Sequence, residues 1–132
     1  MLELATDVAG PFTSKLLADF GADVIKVEPP GGDPARLHGP FPDDDPHLEQ
    51  SALFLHLNAN KRSIVADLDS SDDRQLVADL AARSDVVIES FAPGYLADRN
   101  LDFSSLGKAN PSTVLTSVTP FGQSGPYADL LG

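Results

Sequence analysis

Ala22-Asp23-Val24-Ile25-Lys26-Val27-Glu28, stopped by Pro29-Pro30-Gly31-Gly32, is the stretch on which the fold turns. Val24, Ile25 and Val27 favour a strand. The proline pair ends it, because proline donates nothing to a sheet ladder and the glycines accept turn geometry. Upstream, Gly10-Pro11 opens a helix, with proline near the first turn, where its missing N–H costs nothing. Phe12, Leu16 and Phe20 recur at i, i+4 and i+8 and draw one apolar stripe along that helix, and Gly21 is placed to stop it. Leu2 to Ala5 reads as the tail of an earlier strand. Strand, helix, strand over so few residues is a crossover unit, which joins parallel neighbours.

Outward from this unit the alternation continues. Residues 29–50 form a long loop rich in Pro, Gly and Asp, and loops of that length inside a domain are functional or disordered. Ser51 to Leu57 reads as a short helix and Lys61 to Leu68 as a strand around Ile64 and Val65. Ser70 or Ser71 caps the next helix, with Asp72 and Asp73 in its first turn and a buried face expected from Leu76, Val77, Leu80 and Ala81. Asp85 to Phe91 carries Val86-Val87-Ile88, the apolar run of a strand covered on both faces. Pro93-Gly94 starts a short helical stretch, Asp102 caps another that ends at Asn110-Pro111, and Val114 to Thr119 is the last strand. The pattern predicts an α/β fold: a mostly parallel sheet flanked by helices.

Composition narrows the functions on offer. The 132 residues suffice for one domain, and their net charge of −11 argues against nucleic acid or an anionic membrane as main partner. The nine Lys and Arg form no stripe. No apolar run is long enough to span a bilayer, and Glu3 stands where a secretory signal carries basic residues. Cysteine is absent, which removes disulfides and thiolate chemistry and suits a cytoplasmic protein.

Generic motifs add little. Neither G-x-G-x-x-G nor G-x-x-x-x-G-K-[ST] occurs, so Gly31-Gly32 reads as a flexible turn rather than a phosphate cradle. His38, His47 and His56 are nine apart, which is not a metal-ligand spacing, and no metal is expected. Asp43-Asp44-Asp45 lacks the alternation and central Gly of a calcium loop and reads as a solvated tip. No G-x-S-x-G elbow exposes a serine nucleophile.

Six blocks, in order and in register, resemble the family III coenzyme A transferases, the superfamily that also holds α-methylacyl-CoA racemase. They are Val8-Ala9-Gly10-Pro11-Phe12; Leu16 through Glu28; Pro30-Gly31-Gly32-Asp33-Pro34; Asn58-Ala59-Asn60-Lys61-Arg62-Ser63; Asp85 through Phe91 with Pro93-Gly94; and Phe121-Gly122-Gln123-Ser124-Gly125-Pro126-Tyr127. The resemblance implies a Rossmann-like domain over residues 1–132 that is the N-terminal part of a longer fold, in a family whose two subunits interlock. It implies transfer of CoA between an acyl-CoA and a carboxylic acid through a catalytic aspartate, which would fall beyond Gly132. That carboxylate attacks the thioester to give a mixed anhydride and free CoA thiolate, splitting one hard transfer into easier steps. The fragment alone is then expected to be inactive. Expected rivals are an acyl-CoA racemase fragment and a non-catalytic partner subunit or truncated gene product.

The resemblance also places coenzyme A, or an acyl-CoA, along the carboxyl ends of the early strands. The implied contacts are Val8 and Ala9, then Ala66, Asp67, Leu68 and Asp69, then Ser90, Phe91 and Ala92. Cations that relatives often carry are replaced: Pro29 and Asp98 stand where arginine is frequent and Asp69 where a lysine can stand, while Arg99 is next door. Fewer cations should weaken phosphate binding. Lys61 and Arg62 remain and are expected to pair with nearby acids and anchor a turn. The partners implied are a CoA thioester, a carboxylic acid, and either a second copy or a C-terminal segment covering an apolar patch.

Overall fold

The computed structural model describes residues 1–130. Its strands are β1 (Leu2–Glu3), β2 (Ile25–Glu28), β3 (Arg62–Val65), β4 (Val86–Glu89) and β5 (Val114–Ser117). The helices are α1 (Ala9–Asp19), α2 (Ala52–Leu57), α3 (Ser71–Ala82) and α4 (Phe103–Ala109), and short 3₁₀ turns cover Pro34–Leu37, Pro42–Asp44 and Ala97–Arg99. All strands are parallel, in the order β3-β2-β1-β4-β5, with Leu2 opposite Ile25 on one side and Val87 on the other. The chain winds outward from β1 to β3, crosses back through α3, and winds outward again to β5.

The sheet has two unlike faces, because side chains alternate along each strand. Leu2, Leu4, Val27 and Val87 point one way, to a hydrophobic core closed by Val77 and Ala81 of α3 and Leu106 of α4. Glu3, Lys26 and Glu28 point the other way and are buried too. α1 lies over that second face.

The seating of α1 departs from the sequence expectation. Phe12, Leu16 and Phe20 are exposed, Phe20 at 90%, while Gly10, Pro11, Ser14 and Ala18 are buried. Residues 10, 14 and 18 have the same spacing as 12, 16 and 20 but lie about 200° further round the helix, so period alone does not choose between them. Close approach does: a Cβ at Gly10 would come within 2.2 Å of Ala5 Cβ, and Ser14 donates from its hydroxyl to Glu3. On α3, Val77 and Ala81 are buried and Leu80 packs against the core, but Leu76 is exposed rather than buried. It sits one residue round from Val77, past the edge of the buried face.

Local chemistry sets the helix ends. Ser51 Oγ caps α2 by accepting from Phe54 N at 3.1 Å, and donates to Ala35 O at 2.8 Å, which fastens the long loop to the helix. Gly21 takes φ +100 just after α1, a conformation that side chains resist. β3 and β5 are the outer strands of the sheet, and Val65 and Val114 on them are exposed. Among the described residues no helix is long and apolar enough to cross a membrane.

Candidate functional site

In an open parallel sheet, ligands bind outside the carboxyl ends of the strands, where neighbouring connections run apart to opposite sides. That point lies between β1 and β4. The two loops leaving it are tied together by Thr6 N donating to Ser90 Oγ at 3.0 Å. Asp7, next in the β1–α1 turn, takes φ +63 and donates from its N–H to Asp33 Oδ1 at 3.2 Å.

A cavity of about 200 Å³ opens beside this point. Its floor is made of strand-end residues Leu4, Val27, Ala66 and Leu68, and one wall is the Pro29-Pro30 pair. Phe91 and Tyr95 form the opposite wall, stacked with ring centres 4.4 Å apart. The guanidinium of Arg99 lies 3.7 Å over the outer face of Tyr95, and Arg99 Nη2 meets Asp69 Oδ1 at 2.5 Å on the rim. Asp69 accordingly raises the pKa of Arg99. An apolar slot between prolines and aromatics suits a flat ring system, and the charged rim suits the polar groups such a ring would carry.

Glu28 ends β2, the place where dinucleotide-binding folds keep an acid for the ribose. It is not free for that work. Arg36 holds it in two bonds, Nε to Oε2 at 2.6 Å and Nη2 to Oε1 at 2.9 Å. Ser63 Oγ donates to Oε1 at 2.5 Å and Asp33 N to Oε2 at 3.0 Å. Burial pushes the Glu28 carboxyl upward, but Arg36, Ser63 and the Asp33 amide outweigh it and bring the pKa to about 2.

Beneath α1 the polar face is closed by a balanced set of two acids and two lysines. Lys26 Nζ reaches Glu3 Oε1 at 2.9 Å and Ala5 O at 2.9 Å, and forms an ion pair with Asp33 Oδ2 at 2.6 Å. Lys61 Nζ reaches Glu3 Oε2, Asn58 Oδ1 and Pro11 O at 2.8, 2.8 and 2.9 Å. Burial lowers the Lys61 pKa, with Glu3 opposing the shift. Arg62 pairs with Asp23 at 2.6 Å on the surface, so both basic residues pair with acids, as the sequence suggested. This cluster fixes the β1–α1 turn and the start of the long loop, and so holds the polar side of the site rigid.

The residues singled out from sequence are placed in three groups. Ala66, Asp67, Leu68 and Asp69 line the cavity together with Phe91. Ser90, Phe91 and Ala92 line a neighbouring cavity of about 270 Å³ with Pro93, Thr119 and Pro120, so Phe91 belongs to both. Val8 and Ala9 sit exposed at the start of α1 and line neither. Asp98 is exposed outside the cavity. Sequence reasoning missed Leu4, Thr6, Val27, Pro30 and Tyr95 as lining residues. The first four share one usable signal: each lies within three residues of the carboxyl end of β1 or β2. Tyr95 carried no such signal, since its place depends on the turn at Pro93-Gly94. Among the described residues no group of three or more His, Cys, Asp or Glu converges as metal ligands.

Fold and cavity together define a doubly wound α/β domain with an apolar crevice at the carboxyl ends of its strands. The profile of CoA-transferase family III matches residues 1–132, and the chain belongs to that family. It is 48% identical over its whole length to succinate–glutarate CoA-transferase of Agrobacterium fabrum, covering 34% of that protein. It is 42% identical over 93% of its length to subunit BbsE of succinyl-CoA:(R)-benzylsuccinate CoA-transferase of Thauera aromatica, covering 30% of it. A crystal structure of a CAIB/BAIF family protein from Brucella suis superposes with a TM-score of 0.90 at 44% identity, over 99% of this chain and 35% of that one. The chain thus spans about a third of the length of the curated relatives it matches.

Proposed function

We propose that the chain is the coenzyme A-holding portion of a CoA-transferase that moves CoA between an acyl-CoA and a carboxylic acid. The observation that carries this reading is the slot at the carboxyl ends of β1 to β4, walled by Pro29-Pro30 and the Phe91–Tyr95 stack, in a chain of this family. The adenine ring fits between those walls by stacking and apolar contact, over a floor of Ala66 and Leu68. Asp67 lies at its edge for the ribose hydroxyls, and Asp69 borders it beside Arg99. Ser90 and Ala92 border the adjoining cavity, through which the pantetheine arm extends, and Val8 and Ala9 offer backbone groups at the helix start.

Both relatives named above are transferases whose names include succinate or succinyl-CoA. Their names favour succinyl-CoA as donor and a dicarboxylic acid as acceptor, and a transferase over a racemase. The carboxylate that forms the anhydride belongs, on this reading, to the part of the relatives that follows the position of Gly132. The exposed stripe of α1 is the surface on which that part or a second copy rests. A chain without cysteine suits the cytoplasm, where coenzyme A chemistry is at home.

A thermal melt with and without millimolar CoA tests the proposal, since a ligand that binds only the native state raises the midpoint. A cooperative transition moved upward by CoA supports the coenzyme site. A cooperative transition indifferent to CoA favours a non-catalytic partner subunit, with Pro29, Asp69 and Asp98 as the reason.

A further inference from the structure

A phosphorylated ligand entering the slot meets an acidic rim, and few cations there are at liberty to receive it. Arg36 is clamped by Glu28 in two bonds and also reaches Glu49 at 3.1 Å. Arg74 Nη1 is held by the carbonyls of Leu68 and Asp69, at 2.9 Å each. Arg99 differs from both. It is positioned by stacking on Tyr95, and Tyr95 is itself braced against Phe91. Its Nη1 makes only a long bond to Tyr95 O at 3.3 Å, and its Nε is buried with no acceptor. Its acid, Asp69, has a side chain 75% exposed to water.

Those differences decide which ion pair can exchange. Breaking the Glu28–Arg36 pair would leave a buried carboxylate without its cation, which costs several kcal/mol. Releasing Asp69 leaves a carboxylate that water solvates fully, and exposed pairs of this kind are weak. A phosphate offers the guanidinium two parallel acceptors and more charge than a carboxylate. We infer that Arg99 is the phosphate-receiving residue of the slot and that Asp69 is its exchangeable counter-ion, displaced when the coenzyme binds. The inference rests on the CoA reading above and adds to it a direction: Asp69 lowers affinity by occupying Arg99 in the empty site. Stacking on Tyr95 keeps the guanidinium in place during the exchange, so the ligand replaces one partner without reordering the wall.

Equilibrium binding of CoA and dephospho-CoA to the full chain and to four variants tests this: Asp69→Asn, Arg99→Gln, the double variant, and Asp98→Asn. Asp98 is the neighbouring exposed acid, so its variant reports the general effect of removing one negative charge. We expect Asp69→Asn to tighten CoA about two- to five-fold more than Asp98→Asn does, the fold-change that corresponds to an exposed pair. Arg99→Gln should weaken CoA about ten-fold or more. The double variant should match Arg99→Gln, because the counter-ion has nothing left to compete for. A loss for CoA alone in Arg99→Gln places the 3′-phosphate on Arg99, and a loss for both ligands places the diphosphate there. Binding of CoA to the wild-type chain with Asp69→Asn no different from Asp98→Asn would overturn the exchange while leaving the CoA reading intact. Cooperative melting of every variant with no binding by any of them would sink both.

Discussion

Lys26 Nζ lies 2.9 Å from Glu3 Oε1 across adjacent strands, and the two side chains expose 1% and none of their surface. Removing one member of such a buried pair leaves the others uncompensated, at about 3–5 kcal/mol. Lys26→Met leaves Asp33 without its cation and Glu3 with Lys61 alone, so we expect a loss within that range in urea unfolding. A loss below about 1 kcal/mol would show that water reaches the cluster.

Gly10 tests the seating of α1. An added Cβ would stand 2.2 Å from Ala5 Cβ, and neither backbone can yield without moving the helix off Glu3. We expect Gly10→Ala to cost about 1–3 kcal/mol by overpacking, and Ala5→Gly in the same chain to restore part of it. Equal losses with and without Ala5→Gly would mean that the clash is not the cause.

Glu28 gives a pH dependence whose sign is fixed by its shift. Its folded pKa of about 2 lies below the ordinary value of 4.5. The stabilisation is therefore whole above pH 4.5 and is lost as pH falls from there toward 2, amounting to about 3 kcal/mol. Glu28→Gln should lower stability at pH 7 and flatten the acid limb of the stability curve. A parallel downward shift with the limb unchanged would assign acid sensitivity elsewhere.

Much of this architecture is legible from sequence, because the strands announce themselves through Val86-Val87-Ile88 and Val24-Ile25 and the breaks through Gly and Pro. The direction in which α1 faces is not. Its large apolar residues and its small ones share one period, and only the distance from Gly10 to Ala5 shows which set the sheet accepts. Lys26 and Glu28 in an interior strand were visible as letters, yet their partners come from elsewhere: Glu3 and Asp33 for Lys26, Arg36 and Ser63 for Glu28. For the site, Ala66 to Asp69 and Phe91 were readable through the family resemblance and do share a cavity. Tyr95 and the Asp69–Arg99 contact were not, since 30 residues separate the pair.

The outward stripe of α1 makes a further test. Phe20 is 90% exposed while Phe12 and Leu16 keep more than half their surface covered, so with serine at all three we expect losses of about 0.5 kcal/mol at Phe20 and about 1 kcal/mol at each of the other two. Self-association measured by sedimentation at high concentration should fall, because the exposed apolar area falls. Destabilisation well beyond that amount would mean the stripe is covered within the chain itself.

The four charges under α1 come from residues 3, 26, 33 and 61, and this has a consequence for how the gene can be divided. A split or permutation that separates any of these residues from the others leaves one half carrying a charge whose neutralising partner is on a different polypeptide. Such halves should be insoluble apart and recover only when co-expressed. A break after Lys61, in the connection from β3 to α3, leaves the set whole on the first half and is where complementation between two pieces should work best.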